Sequence, residues 1–436
     1  MASKAKKPRK VNGYKMPAPI PAGYIVKNSQ KKSWEVGSSI GKGGFGEIYC
    51  CTPIDDAATS KTKSKSYPHV MKIEPQENGP LFVEMHFYMK VAKKEDIENW
   101  MKSKGIKRLG MPCYLGSGSF EYNKERYRFV VMDRYGQDIW SKFLENKKVF
   151  PCATALKIGL QVLDVLEYIH DQGYAHCDVK GANLLLGTQK GTEDQVYLVD
   201  FGLAARYITT EFKPDPKKAH NGTIEYTSRD AHLGVTTRRG DMEILGFNLL
   251  HWVTSTLPWD NITDPKVVEE KKIALMKSIS SARKLIPSAP TVITSYLDYV
   301  SKLKHDEAPN YDFCRKLFKD ELKKLGVANT GKLVFKADKT PKKATAAAAD
   351  ADSEVPGRVR RRRVAVNFSN GHDSDSAVDI GDDDESPPPT PKKTPRKTKK
   401  DGPSWKDCET AKASNVVRAG EYISSKPKAT KRQRNE

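Results

Sequence analysis

The sequence predicts an α+β chain of two lobes, a small β-rich one followed by a larger helical one, between disordered basic termini. Three observations predict it. Over residues 38–132 the apolar residues come in short runs broken by glycine and polar turns, the mark of strands. Beyond Asp133 they recur at helical spacing, as Leu156, Leu160, Leu163 and Ile169 do before Gly173. At both ends periodicity disappears, and lysine, arginine and proline crowd the chain. The divisions read from these changes are a flexible basic arm over 1–30, a first lobe over 31–132, a second over 133–326 and a disordered tail over 327–436.

The arm holds seven lysines and arginines and no acidic residue. It has no apolar run, so it does not read as a secretory signal. In the first lobe, residues 38–51 read as strand, glycine turn and strand. Residues 69–74 and 126–132 read as further strands, with helices over 81–90 and 95–103. In the second lobe, 196–199 is a short apolar strand. Residues 241–253 are apolar on all sides, which predicts a buried helix. The stretch 244–253 is too short to cross a bilayer, so no membrane insertion is expected. The tail alternates a basic run, an acidic run and Pro387-Pro388-Pro389, a composition that cannot bury enough apolar area to fold. With hydrophobic residues at only 38% and a net charge of +21 over 436 residues, the ends are drawn to polyanions: nucleic acid, anionic membrane or an acidic protein surface. The seven cysteines, Cys50, Cys51, Cys113, Cys152, Cys177, Cys314 and Cys408, show no C-x-x-C spacing and read as reduced thiols.

Four clusters carry chemistry. Ile40-Gly41-Lys42-Gly43-Gly44-Phe45-Gly46-Glu47-Ile48 has the spacing G-x-G-x-x-G. Its glycines would let backbone amides approach phosphate oxygens. A strand follows it rather than a helix, which favours a flap over a nucleotide, although an ordinary hairpin turn spells the same way. Lys72 lies inside the apolar run Val70-Met71-Lys72-Ile73. If buried, its ammonium needs anions, such as ATP phosphates and the carboxylate of Glu84 on the next helix; a solvent-facing lysine on an edge strand is the alternative. In His176-Cys177-Asp178-Val179-Lys180-Gly181-Ala182-Asn183, Asp178 can accept a hydroxyl proton or orient the hydroxyl. Lys180 can neutralise a transferring phosphoryl group, and Asn183 can ligate a metal. Asp200, in Asp200-Phe201-Gly202, is a hard oxygen ligand suited to Mg²⁺ on phosphates. Together, in this order, the four point to phosphoryl transfer.

At these positions the sequence resembles the eukaryotic protein kinases, whose signature set the four clusters match. Lys180 resembles their serine/threonine branch. Gly222-Thr223-Ile224-Glu225-Tyr226-Thr227-Ser228, His232-Leu233-Gly234 and Leu257-Pro258-Trp259 are similar to the casein kinase I group. Glu77-Asn78-Gly79-Pro80-Leu81-Phe82-Val83-Glu84 and Tyr127-Arg128-Phe129-Val130-Val131-Met132-Asp133-Arg134-Tyr135-Gly136 resemble the vaccinia-related kinases, in particular their nuclear, histone-phosphorylating type. The resemblance covers about residues 25–330 and implies the bilobal protein-kinase fold. It implies Met132 as gatekeeper, backbone from Asp133 to Tyr135 facing adenine, and Asp241 as the buried acid that braces the catalytic loop. It also implies ATP and Mg²⁺ as cofactors. Cys177 stands where the family usually has arginine, the partner of a phosphorylated activation loop. A constitutively competent enzyme is therefore expected.

The resemblance further implies a nuclear, chromatin-associated monomer, with a cytoplasmic fraction, acting on histones and on the barrier-to-autointegration factor. It would serve chromatin condensation and nuclear envelope dynamics through mitosis and meiosis. Arg358, Arg360, Arg361, Arg362 and Arg363 suit an acidic protein patch, and Lys392, Lys393, Arg396, Lys397, Lys399 and Lys400 suit a phosphate backbone. Lys428, Lys431, Arg432 and Arg434 close the chain. Nuclear import alone would also explain these clusters. Ser386, Thr390 and Thr394 precede prolines, where phosphate would weaken polyanion binding. Two other readings stand beside this one: a catalytically silent chromatin scaffold, and a casein-kinase-I-type enzyme selecting acidic sites.

Overall fold

A computed structural model of the chain describes residues 10–11, 14–42, 46–54, 66–279 and 286–336. Strands β1 (Lys10–Val11) and β2 (Tyr14–Lys15) pair as a short ribbon. Six more strands form one antiparallel sheet: β3 (Ile25–Lys27), β4 (Ser33–Lys42), β5 (Glu47–Ile54), β6 (His69–Pro75), β7 (Gly116–Tyr122) and β8 (Glu125–Asp133). Their spatial order is β3-β4-β5-β6-β8-β7. Every second residue turns to one face, as the pleat requires. Trp34 and Val36, Tyr49 and Cys51, Met71 and Ile73, and Tyr127, Phe129 and Val131 thereby close into one core.

Helix α1 (Pro80–Val91) follows β6. Proline at its first turn has no amide to leave unpaired, and the orphan amide of Leu81 donates to Glu74 Oε2 on β6 at 3.0 Å. Helix α2 (Lys94–Lys104) ends at Gly105, in the left-handed region at φ 65°.

The second lobe is built from α3 (Ile139–Glu145), α4 (Cys152–Asp171), α5 (Arg229–His232), α6 (Arg238–Thr254), α7 (Pro265–Lys277), α8 (Thr291–Lys302) and α9 (Tyr311–Lys324). Two small ladders are set among them. Strand β9 (Tyr174–Ala175) pairs with β12 (Ala205–Arg206), and β10 (Leu184–Leu186) pairs with β11 (Val196–Leu198). Gly159 lets α4 meet its neighbours: a Cβ there would stand 3.1 Å from Phe318 on α9 and 3.2 Å from Leu249 on α6. Helix α6 is buried nearly all round, as its composition predicts.

Two expectations need correction. The arm expected over 1–30 is folded in part. Ile20, Val26 and Asn28 are buried, and β3 adds an edge to the sheet through Val26–Trp34 pairing. The tail expected from 327 onward is also folded at its start. Leu333 is buried, Phe335 packs 5.3 Å from Phe150, and Lys157 donates to the carbonyls of Thr330 and Lys332 at 3.2 and 3.1 Å. In both places a few apolar side chains sit inside a polar run too short for composition to separate. The basic and acidic tail clusters, Cys408, Ser386, Thr390 and Thr394 lie outside the described residues. Cys50, Cys51, Cys113, Cys152, Cys177 and Cys314 are free thiols, as expected. Among the described residues, no helix is long and apolar enough to cross a membrane.

Candidate active site

The site forms where β6, α1 and the Asp200 turn meet the loop after β9. Lys72 does point inward from its strand. Its amine lies 2.6 Å from Glu84 Oε2 on α1 and 3.0 Å from Asp200 Oδ1. Burial opposes its charge, but the two carboxylates outweigh burial and hold the amine above the usual lysine range. Burial likewise works against a charge on Asp200, yet Lys72 beside it keeps the carboxyl below its ordinary value. Glu84, fully enclosed, is pushed up by burial, with Lys72 pulling the other way.

This arrangement needs α1 held against the Asp200 turn, and aromatic packing holds it. Phe201 stacks on Phe87 of α1 at 4.1 Å and 12°. His176 meets the same ring edge-on at 4.7 Å. Asp200 itself has a left-handed backbone, φ 65°, which costs a non-glycine residue some strain. The Phe201 anchor and the Lys72 ion pair offset that strain.

The loop after β9 carries the second half. Asp241, in the first turn of α6, accepts from the amides of His176 at 2.7 Å and Cys177 at 2.8 Å, and contacts His170 Nε2 at 3.0 Å. It therefore braces the loop backbone from below. The Asp178 amide donates to His176 Nδ1 at 3.2 Å, so the ring proton is on Nε2, which faces the Val199 carbonyl at 3.2 Å. Burial keeps this imidazole neutral by lowering its pKa. Asp178 Oδ2 receives the Lys180 amine at 2.8 Å. Asn183 Nδ2 donates to the Asp178 carbonyl at 2.9 Å.

Sequence reasoning assigned no role to Thr223. Its hydroxyl donates to Asp178 Oδ1 at 2.7 Å and accepts from Lys180 at 2.8 Å, closing a triangle with those two residues. The only signal was its place in the Gly222-Thr223 string. Gly222 has φ 109°, and a Cβ there would press to 3.2 Å on the Cys177 carbonyl.

Of the glycine loop, Ile40, Gly41, Lys42, Gly46, Glu47 and Ile48 are described, and Gly43, Gly44 and Phe45 lie outside the described residues. Gly41 pairs with Ile48 and Lys42 with Glu47 across β4 and β5. Glu47 is buried and bonded to Ser39 Oγ at 2.5 Å. Gly46 has a local steric role: a Cβ would come 2.3 Å from the Ile73 carbonyl. Met132 is buried at the inner end of β8, 3.9 Å from the Tyr88 hydroxyl. Next to it, Asp133 contacts His69 at 3.1 Å, and Tyr135 stacks on Tyr197 at 4.2 Å.

Several protein groups hold the segment from 203 to 228. Ile208 and His220 donate from their amides to the Thr236 and Ala231 carbonyls. Trp259 Nε1 donates to Glu225 O at 2.8 Å. Lys272, wholly buried on α7, donates to Ile224 O at 2.7 Å and Thr227 O at 2.8 Å. Cys177 lies against Thr236, and burial raises its thiol pKa well above the usual value, so it stays an uncharged thiol; unlike an arginine, a cysteine offers no cation to a phosphate.

The donor set fits a nucleotide-bound Mg²⁺. Lys72 takes Asp200 Oδ1, and Asp200 Oδ2 accepts no hydrogen bond among the described residues. Asn183 spends its amide nitrogen on Asp178, leaving its oxygen unclaimed there. Both are the hard oxygens such an ion prefers.

A family model described as "Protein kinase domain" matches residues 34–325. The chain is 51% identical over 329 residues to "Nucleosomal histone kinase 1" of Drosophila melanogaster, covering 74% of this chain and 53% of that one. It is 43% identical to "Serine/threonine-protein kinase VRK2" of Homo sapiens, covering 71% and 61%. The matched part thus spans little more than half the length of these relatives. A solved structure of vaccinia related kinase 3 shares the fold, with TM-score 0.62 over 72% of this chain and 95% of that one, at 24% identity.

Proposed function

We propose that this chain, which belongs to the protein kinase family and within it to the vaccinia-related kinases, transfers the γ-phosphate of ATP to serine or threonine of chromatin proteins. One observation carries the reading: Lys72 bonded at once to Glu84 and Asp200, beside the Asp178–Lys180–Thr223 triangle. Catalysis of this transfer is mostly positioning and electrostatics. In this reading residues 40–48 cover the nucleotide, Met132, Asp133 and Tyr135 border the adenine, and Lys72 faces its phosphates. Asp200 and Asn183 would hold Mg²⁺, which when bound neutralises phosphate charge. Asp178 accepts the hydrogen bond of the incoming hydroxyl and takes its proton as that oxygen bonds to the γ-phosphorus and the bond from phosphorus to the bridging oxygen of the departing ADP breaks. Lys180, tied to Asp178 from the other side, faces the charge on the transferring group.

Histones, and more broadly nuclear substrates including the barrier-to-autointegration factor, are proposed from the printed name of the fly relative and from the resemblance of the sequence. The basic clusters supply the chromatin contact, a nuclear location with some cytoplasmic protein follows from them, and the enzyme acts as a monomer during mitosis and meiosis. Activity without activation-loop phosphate is proposed from Cys177, which stands where the family usually has the phosphate-pairing arginine.

The test is transfer of labelled phosphate from Mg²⁺-ATP to nucleosomal histones by the full chain and by Asp178→Ala. Label on serine or threonine, reduced about 10²–10⁴-fold in the variant, is expected. Equal labelling by both proteins, or none by the unmodified chain, would overturn the reading and leave a silent scaffold in its place.

A further inference from the structure

Outside the catalytic cleft, three side chains from three elements converge. His220 belongs to the segment between the Asp200 turn and α5. Its Nδ1 lies 2.8 Å from Nδ1 of His232 on α5. One ring nitrogen of each histidine and a carboxylate oxygen of Glu269, on α7, lie within 4.8 Å of one another. His232 is buried, and its Nε2 accepts from the Lys272 amine at 3.3 Å, which puts the ring proton on Nδ1, facing His220. Two imidazoles sharing one proton would account for their contact. That account leaves out Glu269, which has neither a hydrogen bond nor an ion pair among the described residues although it stands beside both rings.

Two imidazoles and a carboxylate are the ligand set of borderline divalent ions rather than of Mg²⁺. We propose that His220, His232 and Glu269 bind a divalent transition ion of the zinc class, with solvent in the fourth position. The ion displaces the proton between the rings to solvent, since a ligating imidazole nitrogen must be unprotonated. Lys272 passes a proton to His232 Nε2 while keeping its bonds to the Ile224 and Thr227 carbonyls, so the ligand is a neutral imidazole. Its effect follows from where the ligands sit. It joins the 203–228 segment to α5 and α7, and His220 is three residues before Thr223, whose hydroxyl bonds Asp178. An ion here stiffens the backbone that positions the catalytic carboxylate. Binding stands whether or not the chain transfers phosphate; only this consequence rests on the proposed function.

The probe is Co²⁺, added to chelator-stripped full-length protein in excess Mg²⁺. One equivalent should give visible d–d bands, and Zn²⁺ should abolish them. His220→Gln should remove the bands, and Glu269→Gln should weaken binding by about tenfold or more. Both changed residues lie near the surface, and circular dichroism checks that the variants are folded. Amide exchange over 221–227 should slow when Zn²⁺ is added. No bands at one equivalent, or wild-type affinity in both variants, overturns the site. Exchange that does not change with Zn²⁺ overturns the clamp.

Discussion

Asp178 shows how much of the chemistry is positioning. A carboxylate turns freely about two bonds, and here four hydrogen bonds fix it: Lys180 and Asn183 donate to Oδ2, and the Thr223 amide and hydroxyl donate to Oδ1. Thr223 is also the link through which Lys180 is held, so removing its hydroxyl loosens two groups at once. Thr223→Ala should lower kcat about 10–100-fold with little change in KM for ATP, and Thr223→Ser should restore most of it. Steady-state kinetics on histone checks this; a fall confined to KM would mean the hydroxyl serves binding. Glu74 is a different case, a charge-capable side chain with too few partners. It is fully buried, it accepts from the Leu81 amide, and its Oε1 has no partner among the described residues. Burial pushes its carboxyl from 4.5 up to about 8, against the pull of the Leu81 amide and of Lys72 and Arg128. The folded chain thus keeps a proton that the unfolded chain releases near 4.5. This contribution to stability is complete below that value and is lost as pH climbs through about 8. Glu74→Gln keeps an acceptor for Leu81 and cannot ionise. From about pH 5 to pH 8 the unmodified protein should therefore lose a few kcal/mol relative to the variant in urea unfolding. Parallel pH curves would show that Glu74 is ionised in the fold.

At the scale of elements, the glycine loop separates two demands that its spelling merges. A Cβ on Gly46 would collide with the Ile73 carbonyl at 2.3 Å, whereas one on Gly41 would meet nothing closer than 3.9 Å among the described residues. Gly46→Ala should push β5 off β6 and cost about 1–3 kcal/mol, while Gly41→Ala should leave thermal unfolding almost unchanged. If the two variants melted alike, the strand contact would not be what selects glycine at 46. The comparison also shows what the sequence can and cannot reveal. Strands β4, β5, β6 and β8 and helices α1, α2 and α4 were legible because alternation or helical spacing in each comes from facing a core, and α6 because it is apolar on all sides. The candidate site was legible because Asp178, Lys180 and Asn183 fall within six consecutive residues and Asp200 follows a short strand. Strand β7, Gly-Ser-Gly-Ser-Phe-Glu-Tyr, carried almost no apolar signal, since an edge position asks little of it. Strand β3 was hidden in the same way, inside a lysine-rich arm. Thr223 and His232 were visible only as members of family-like strings, and neither the Thr223 contact nor the His220–His232–Glu269 grouping could be read from them. Their partners are 45 residues away in one case, and on three separate elements in the other.

For the whole molecule, the question is where the catalytic globule stops. Composition put the end at about 326, but residues 327–336 lie across α4. Leu333 is buried, and Phe335 packs on Phe150. Lys157, itself buried, has the Thr330 and Lys332 carbonyls as partners, and the Leu333 amide donates to Asp194 Oδ1 at 2.7 Å. Cutting the chain after Gly326 exposes Leu333's pocket, worth about 1.5–3 kcal/mol. It also strands a buried ammonium, at about 1–3 kcal/mol more. A chain ending at 326 should therefore unfold at a Tm lower by about 5–15 °C than one ending at 336. The kcat on a peptide should be the same for both below their transitions, because the strap touches α4 far from Asp178. The chain ending at 336 lacks every basic cluster from Arg358 onward. It should label free histones as fast as the full chain does, yet bind nucleosomes more weakly and with a shallower dependence on salt, since fewer phosphates are neutralised. If its salt slope matched that of the full chain, the contact with chromatin would belong to the globule, and the tail clusters would be left with nuclear import alone.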